Sequence, residues 1–103
     1  MLNQLVVVGR LTSDPEIKEV ENNRKIAIIT VAVPRAYKNE NGENDTDFIT
    51  CTLFNGIAET TTEYCKKGDI LGIKGRLQGN GETLEVIAEK VTFLSSKKAE
   101  SED

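Results

Sequence analysis

The chain has no histidine and no tryptophan, only two cysteines, two prolines and one methionine, and aromatics make up 5% of its 103 residues. Each scarcity removes a class of function. Without histidine there is no imidazole base for a nucleophile, and Cys51 and Cys65 alone cannot complete a tetrahedral zinc site. The two cysteines lack CxxC spacing, one in a strand pattern and one in a helical pattern, so they read as small buried hydrophobes in a reducing compartment. Neither GxxxxGK[ST] nor a strand-loop-helix GxGxxG unit occurs. No catalytic residue, cofactor or metal is expected, and the reading is of a protein that is not an enzyme. No apolar run approaches membrane-spanning length, and the opening MLNQLVVVGRL lacks the charged lead and cleavage site of a signal peptide, so a cytoplasmic protein is expected.

A chain of 103 residues is one small domain, long enough for a modest core but too short for two lobes with a cleft between them. Its net charge of -4 argues mildly against a nucleic-acid binder, but the charge is unevenly spread. The last five residues carry three of the 17 acids and no base, so the remainder sets 13 bases against 14 acids. Glu40, Glu43, Asp45 and Asp47 crowd one polar loop, and a local basic groove remains compatible with the whole-chain balance.

Strand patterns dominate. Leu5 to Leu11 is β-rich, and a polar stretch through Pro15 breaks it before Ile17 to Val20 continues extended. The Asn22-Asn23 pair turns the chain into a dense apolar strand, Lys25 to Val33. A long polar loop, Pro34 to Thr46, follows, with Asn41-Gly42 at its tip.

Asp47 to Leu77 then reads as strand, short helix, strand. In the first of these strands Ile49, Cys51 and Leu53 form a wholly apolar side, while Phe48, Thr50, Thr52 and Phe54 put two rings and two hydroxyls on the other. Such a surface suits flat, partly polar ligands; the competing reading makes both rings ordinary core on a strand buried on two sides. Asn55 or Gly56 can cap a helix with Ile57, Thr61, Tyr64 and Cys65 on one side, and Lys66-Lys67-Gly68 can end it. On the next strand Leu71, Ile73 and Leu77 face one way and Lys74 and Arg76 the other, either as charges guarding a sheet edge or as phosphate contacts. Gly79-Asn80-Gly81 is a hairpin into the last strand, Thr83 to Leu94. Tyr64 and Phe93, set among apolar neighbours, read as core, whereas Tyr37 in the polar loop has no packing reason to be there. Five strands with one helix between strands three and four predict an all-β, five-stranded OB-fold barrel over residues 1–95, whose central strands and long loops commonly bind oligonucleotides. Residues 96–103 are a short acidic tail expected to be disordered.

Four blocks carry a closer likeness: MLNQLVVVGRLTSDPEIKEV, ITVAVPRAY, DFITCTLFNGIAE and CKKGDILGIKGRL. In order and spacing they resemble the DNA-binding domain of bacterial single-stranded DNA-binding proteins, from Met1 to about Leu94. The resemblance implies sequence-tolerant binding of single-stranded DNA in replication, recombination, repair or uptake. It also implies a homo-oligomer, a tetramer with a dimer as the alternative, with the first strand in the pairing. Its base-stacking positions fall on Tyr37, Phe48 and Phe54, and its basic groove corresponds to Arg10, Arg35, Lys74 and Arg76, with Lys38 and Lys67 as further candidates. Two departures are the missing tryptophan and a clipped hairpin between strands four and five. A third is the end of the sequence at Ser101-Glu102-Asp103, with no acidic, phenylalanine-ended tip. Tip-mediated replication partners are therefore not expected, unless the sequence is a shortened form. The alternative function is an OB-fold protein-interaction module of a primosome-type accessory protein, which the acidic balance permits.

Overall fold

The computed structural model describes residues 2–95, and the expected acidic tail lies outside the described residues. Six strands and one helix run in the order β1 (Leu5–Leu11), β2 (Ile17–Val20), β3 (Arg24–Lys38), β4 (Asn44–Phe54), α1 (Asn55–Tyr64), β5 (Ile70–Asn80) and β6 (Thr83–Ser95). β1 pairs with β5 on one side and β3 on the other, and the ladder passes through β5, β6, β4 and β3 to close on itself. β2 also pairs antiparallel with β3, so β1 and β2 are one strand broken where the sequence turns polar. The result is a closed five-stranded barrel with one helix between its third and fourth strands, the OB fold expected from the sequence. Closure rests on a short parallel contact, Cys51 opposite Val86 and Thr52 opposite Ile87.

Two glycines let the walls approach. A Cβ on Gly75 would lie 2.1 Å from the carbonyl oxygen of Ile87, where an irregularity in the β5–β6 register folds the ladder inward. A Cβ on Gly9 would lie 2.8 Å from the carbonyl oxygen of Ala32, where β1 crosses β3. Both sit in a Gly-Arg-Leu triplet, VGRL and KGRL, at opposite seams of the barrel. Inside, Ala27, Ile29, Val31, Cys51, Leu53, Leu71, Ile73, Val86 and Ala88 form one buried cluster that Ala58 and Cys65 join from the helical segment. Burying a side chain such as Leu53 contributes about 1.5–3 kcal/mol. Burial pushes the thiols of Cys51 and Cys65 up to about 11, with the charge of Asp69 adding to the effect at Cys65.

Turn chemistry sets the registers. Asn22 and Asn23 both have positive φ, 64° and 59°, and with Glu21 they make a three-residue 3₁₀ turn that places Val20 opposite Arg24. At the β3–β4 tip the side-chain oxygen of Asn39 accepts from the amides of Asn41 (2.8 Å) and Glu43 (3.1 Å), with Gly42 at φ 79°.

The structure corrects several expectations from the sequence. β3 does not stop at Val33: it continues through Pro34 to Lys38, and β4 begins at Asn44, because Pro34 can hold a strand position opposite Thr46 while the register slips by two residues before Lys38 meets Asn44. The predicted loop thus shrinks to a hairpin tip. Asn55 does not cap α1 with its side chain; Phe54 occupies the cap position, and the Asn55 side-chain oxygen instead accepts from the Lys25 amide at 3.2 Å. Lys66 and Lys67 lie beyond the last helical turn. That segment is pinned by acids, Asp69 accepting from the Lys66 amide at 2.9 Å and Asp14 from the Lys67 amide at 2.7 Å, with Gly68 at φ 95°. Tyr64 and Phe93 are not core: they are 63% and 44% exposed and lean on one another with ring centroids 6.1 Å apart.

Candidate nucleic-acid interface

Cross-strand partners share a face of the sheet, so the registers assemble the outer surface residue by residue. Phe54 lies opposite Ile26, and Ile26 opposite Lys18. Thr52 lies opposite Ile28 on one side and Ile87 on the other, and Ile87 faces Arg76. Thr50 faces Thr30, and Phe48 faces Ala32, which in turn faces Arg10. The intervening residues of β4, Cys51 and Leu53, point into the core with no exposure at all. Strand alternation therefore places Phe48 and Phe54 outward and leaves the barrel filled by their neighbours.

The two rings differ in state. Phe48 is 68% exposed, and no aromatic partner covers it among the described residues. Phe54 is partly buried, and the guanidinium carbon of Arg24 sits 5.7 Å from its ring centroid. Thr52, between them, is itself buried and donates its hydroxyl proton to a carboxylate oxygen of Glu85 at 3.0 Å. Tyr37 is 68% exposed on the far arm of β3, within the register slip between Pro34 and Lys38, and Lys38 ends that strand.

Most of the expected basic residues already have partners. Arg35 forms a two-pronged contact with Asp47, Nε to Oδ2 at 3.1 Å and Nη2 to Oδ1 at 3.0 Å, with Asp45 3.9 Å from the same group. The hydrogen bonds and charge of Arg35 lower the pKa of the Asp47 carboxyl, and Asp47 in turn raises that of Arg35. Arg76 lies 3.7 Å from Glu89 and donates to the Gln78 side chain at 3.0 Å. Arg10, in the row of Phe48, donates to the Gly68 carbonyl at 2.6 Å. Lys74 stands apart from the phenylalanines, opposite Val6 of β1 and Lys90 of β6. Lys67 lies in the turn that Asp14 holds. The registers thus put Phe48 in the row of Arg10 and Phe54 in the row of Lys18, reach Arg76 only across the buried Thr52 and Ile87, and leave Lys74 in a patch with Val6.

Sequence reasoning passed over Arg24, Lys18, Ile28 and Glu85. The period-two pattern could have found Arg24 and Ile28, since both share the even-numbered side of β3 with Ile26, and Ile26 and Ile28 oppose Phe54 and Thr52. Glu85 had no such signal, because its meeting with Thr52 depends on the parallel contact that closes the barrel.

No helix among the described residues is long and apolar enough to cross a membrane, and no group of metal-ligating side chains occurs among them. A closed OB barrel with outward phenylalanines on its central strand and cations beside them defines an oligonucleotide-binding type of domain. The chain belongs to the single-strand binding protein family, whose profile matches residues 2–94. It is 38% identical over 109 residues to "Single-stranded DNA-binding protein B" of Bacillus subtilis, a match covering 97% of this chain and 96% of that protein. To "Single-stranded DNA-binding protein 1" of Clostridium acetobutylicum it is 41% identical over 109 residues, covering 94% and 97%. "Single-stranded DNA-binding protein A" of Bacillus subtilis is 42% identical over 106 residues, but the chain spans only 62% of that longer relative. The family is one of DNA-binding proteins rather than enzymes, in line with the reading of the composition.

Proposed function

We propose that this protein binds single-stranded DNA without sequence choice, stacking bases on Phe48, Phe54 and Tyr37 and neutralising phosphates with cations along the same surface. The observation that carries the reading is Phe48, an aromatic ring 68% exposed on a strand whose alternate residues Cys51 and Leu53 are fully buried in the core. An exposed ring accepts any unpaired base, and a duplex offers none. Arg10 shares the row of Phe48, and Lys38 and Lys67 have no carboxylate within 4.0 Å among the described residues. Arg35 and Arg76 join the track by exchanging an acid for a phosphate, an exchange that exposed ion pairs permit. Lys74, set apart beside Val6, makes the smallest contribution.

Val6 and Val8 are 70% and 49% exposed on the outside of β1, an apolar strip that a second copy can cover, so the protein works as a homo-oligomer, a tetramer or a dimer. The proposed setting is the cytoplasm, in replication, recombination, repair or uptake of DNA. A labelled oligothymidine titrated at several salt concentrations tests the reading. With about four phosphates contacted, the log-log slope is near -3. A duplex of the same length binding equally well would refute it. Light scattering on the same samples reads the assembly.

A further inference from the structure

We propose that Arg24 contacts the DNA, pairing its guanidinium with Phe54 to hold one base and carrying the track across β3 onto Lys18 of β2. The inference rests on the single-strand reading above and adds residues it does not include. Arg24 lies over the Phe54 ring with its guanidinium carbon 5.7 Å from the centroid. Unlike Arg35, Arg76 and Lys25, each within 4.0 Å of a carboxylate, Arg24 has none at that distance among the described residues. An exposed guanidinium held on a ring with no anion to satisfy it is an unspent charge at a stacking position. The guanidinium is planar and weakly hydrated, and it stacks on nucleobases as readily as on phenylalanine.

The surroundings fit a continued track. Lys18 lies in the row of Phe54 and Ile26, and it too has no carboxylate within 4.0 Å among the described residues. Ile28, one row over, is 62% exposed, and together with Glu16, Lys18 and Ile26 it lines a shallow cleft of about 140 Å³. A base arriving on Phe54 lifts Arg24 and is covered by it, while Lys18 meets the phosphate that follows. The two cations then mark where the strand leaves β4.

The test compares Arg24→Ala, Arg24→Lys, Lys18→Ala and Phe54→Ala with the unaltered protein in the oligothymidine titration, circular dichroism checking that each is folded. Arg24→Ala is expected to weaken binding about 5- to 30-fold, the size of one desolvated cation–π contact, with little change in the salt slope, whereas Lys18→Ala removes a phosphate contact and flattens the slope by about 0.7. Arg24→Lys keeps the slope and recovers only part of the affinity, because an ammonium lacks the stacking plane. In the Phe54→Ala background the loss from Arg24→Ala shrinks to under about two-fold, as expected for residues sharing one base. Unchanged affinity or tighter binding on removal of Arg24, an unchanged slope on removal of Lys18, or fully additive losses would each overturn the proposal. Failure of the unaltered protein to prefer single strands would instead strike at the function on which it rests.

Discussion

Arg35 holds Asp47 through two parallel hydrogen bonds of 3.0 and 3.1 Å, one residue before the exposed ring of Phe48. An acid thus occupies the guanidinium that a phosphate would otherwise take. Asp47→Asn removes the acid that Arg35 must release before it meets a phosphate, so it should tighten binding. Affinity identical to that of the unaltered protein would mean that Arg35 never meets the strand.

The same pair has a pH signature. Asp47 is held below its unfolded value of about 3.9 by the hydrogen bonds and charge of Arg35. A depressed carboxyl contributes stability that is fully present above the unfolded pKa and is lost as pH falls through the folded one. The difference in Tm between the unaltered protein and Asp47→Asn should hold steady above about pH 5 and shrink as pH falls below the unfolded value. A difference that persists in acid would place its origin in packing.

Phe48→Ala should cost about 1–3 kcal/mol of affinity, the worth of one stacked base, and leave stability nearly untouched, since the ring is mostly in solvent. Phe54→Ala should weaken binding and also lower Tm, because its ring is partly buried. Oligothymidine titration and thermal melts separate the two effects. Unimpaired DNA affinity in the double variant would favour the protein-interaction module.

The seams of the barrel should tolerate nothing larger than glycine. Gly75→Ala places a methyl 2.1 Å from the Ile87 carbonyl oxygen, and Gly9→Ala one 2.8 Å from that of Ala32, so the first should be the worse. Overpacking against backbone costs about 1–3 kcal/mol and more where the neighbour cannot move. Denaturant unfolding that ranks Gly9→Ala as the more damaging would contradict the geometry.

Cys51 and Cys65 should stay inert to a thiol reagent near pH 8 until the chain is unfolded, since both are buried and pushed up to about 11. Denaturation in guanidinium should expose both at once, because they share one core.

Much of this was legible beforehand because strand alternation is a local property. Ile49, Cys51 and Leu53 alternate with Phe48, Thr50 and Thr52, and any strand geometry separates those sets. The single helix between the third and fourth strands was likewise visible in the spacing of Ile57, Thr61 and Tyr64. What misled was context. Pro34 reads as a stop, yet a register slip keeps the strand going and lifts Tyr37 out of a loop into β3. Tyr64 and Phe93 sit among apolar neighbours in the chain, yet α1 and β6 bring them together at the surface.

By itself, the sequence determined the strand periods, the turn positions at Asn22-Asn23, Asn41-Gly42 and Gly81, and the likeness to a family. These follow from steric preferences that act within a few residues. Only the closed barrel decided which outward residues meet: Glu85 with Thr52, Arg24 with Phe54, Arg35 with Asp47, and Lys74 with Val6 instead of with the phenylalanines. Such meetings join residues from 12 to 68 positions apart wherever strands pair, for example Arg35 with Asp47, 12 apart, and Val6 with Lys74, 68 apart. No local preference encodes them, because register and closure are settled by the packing of the whole core.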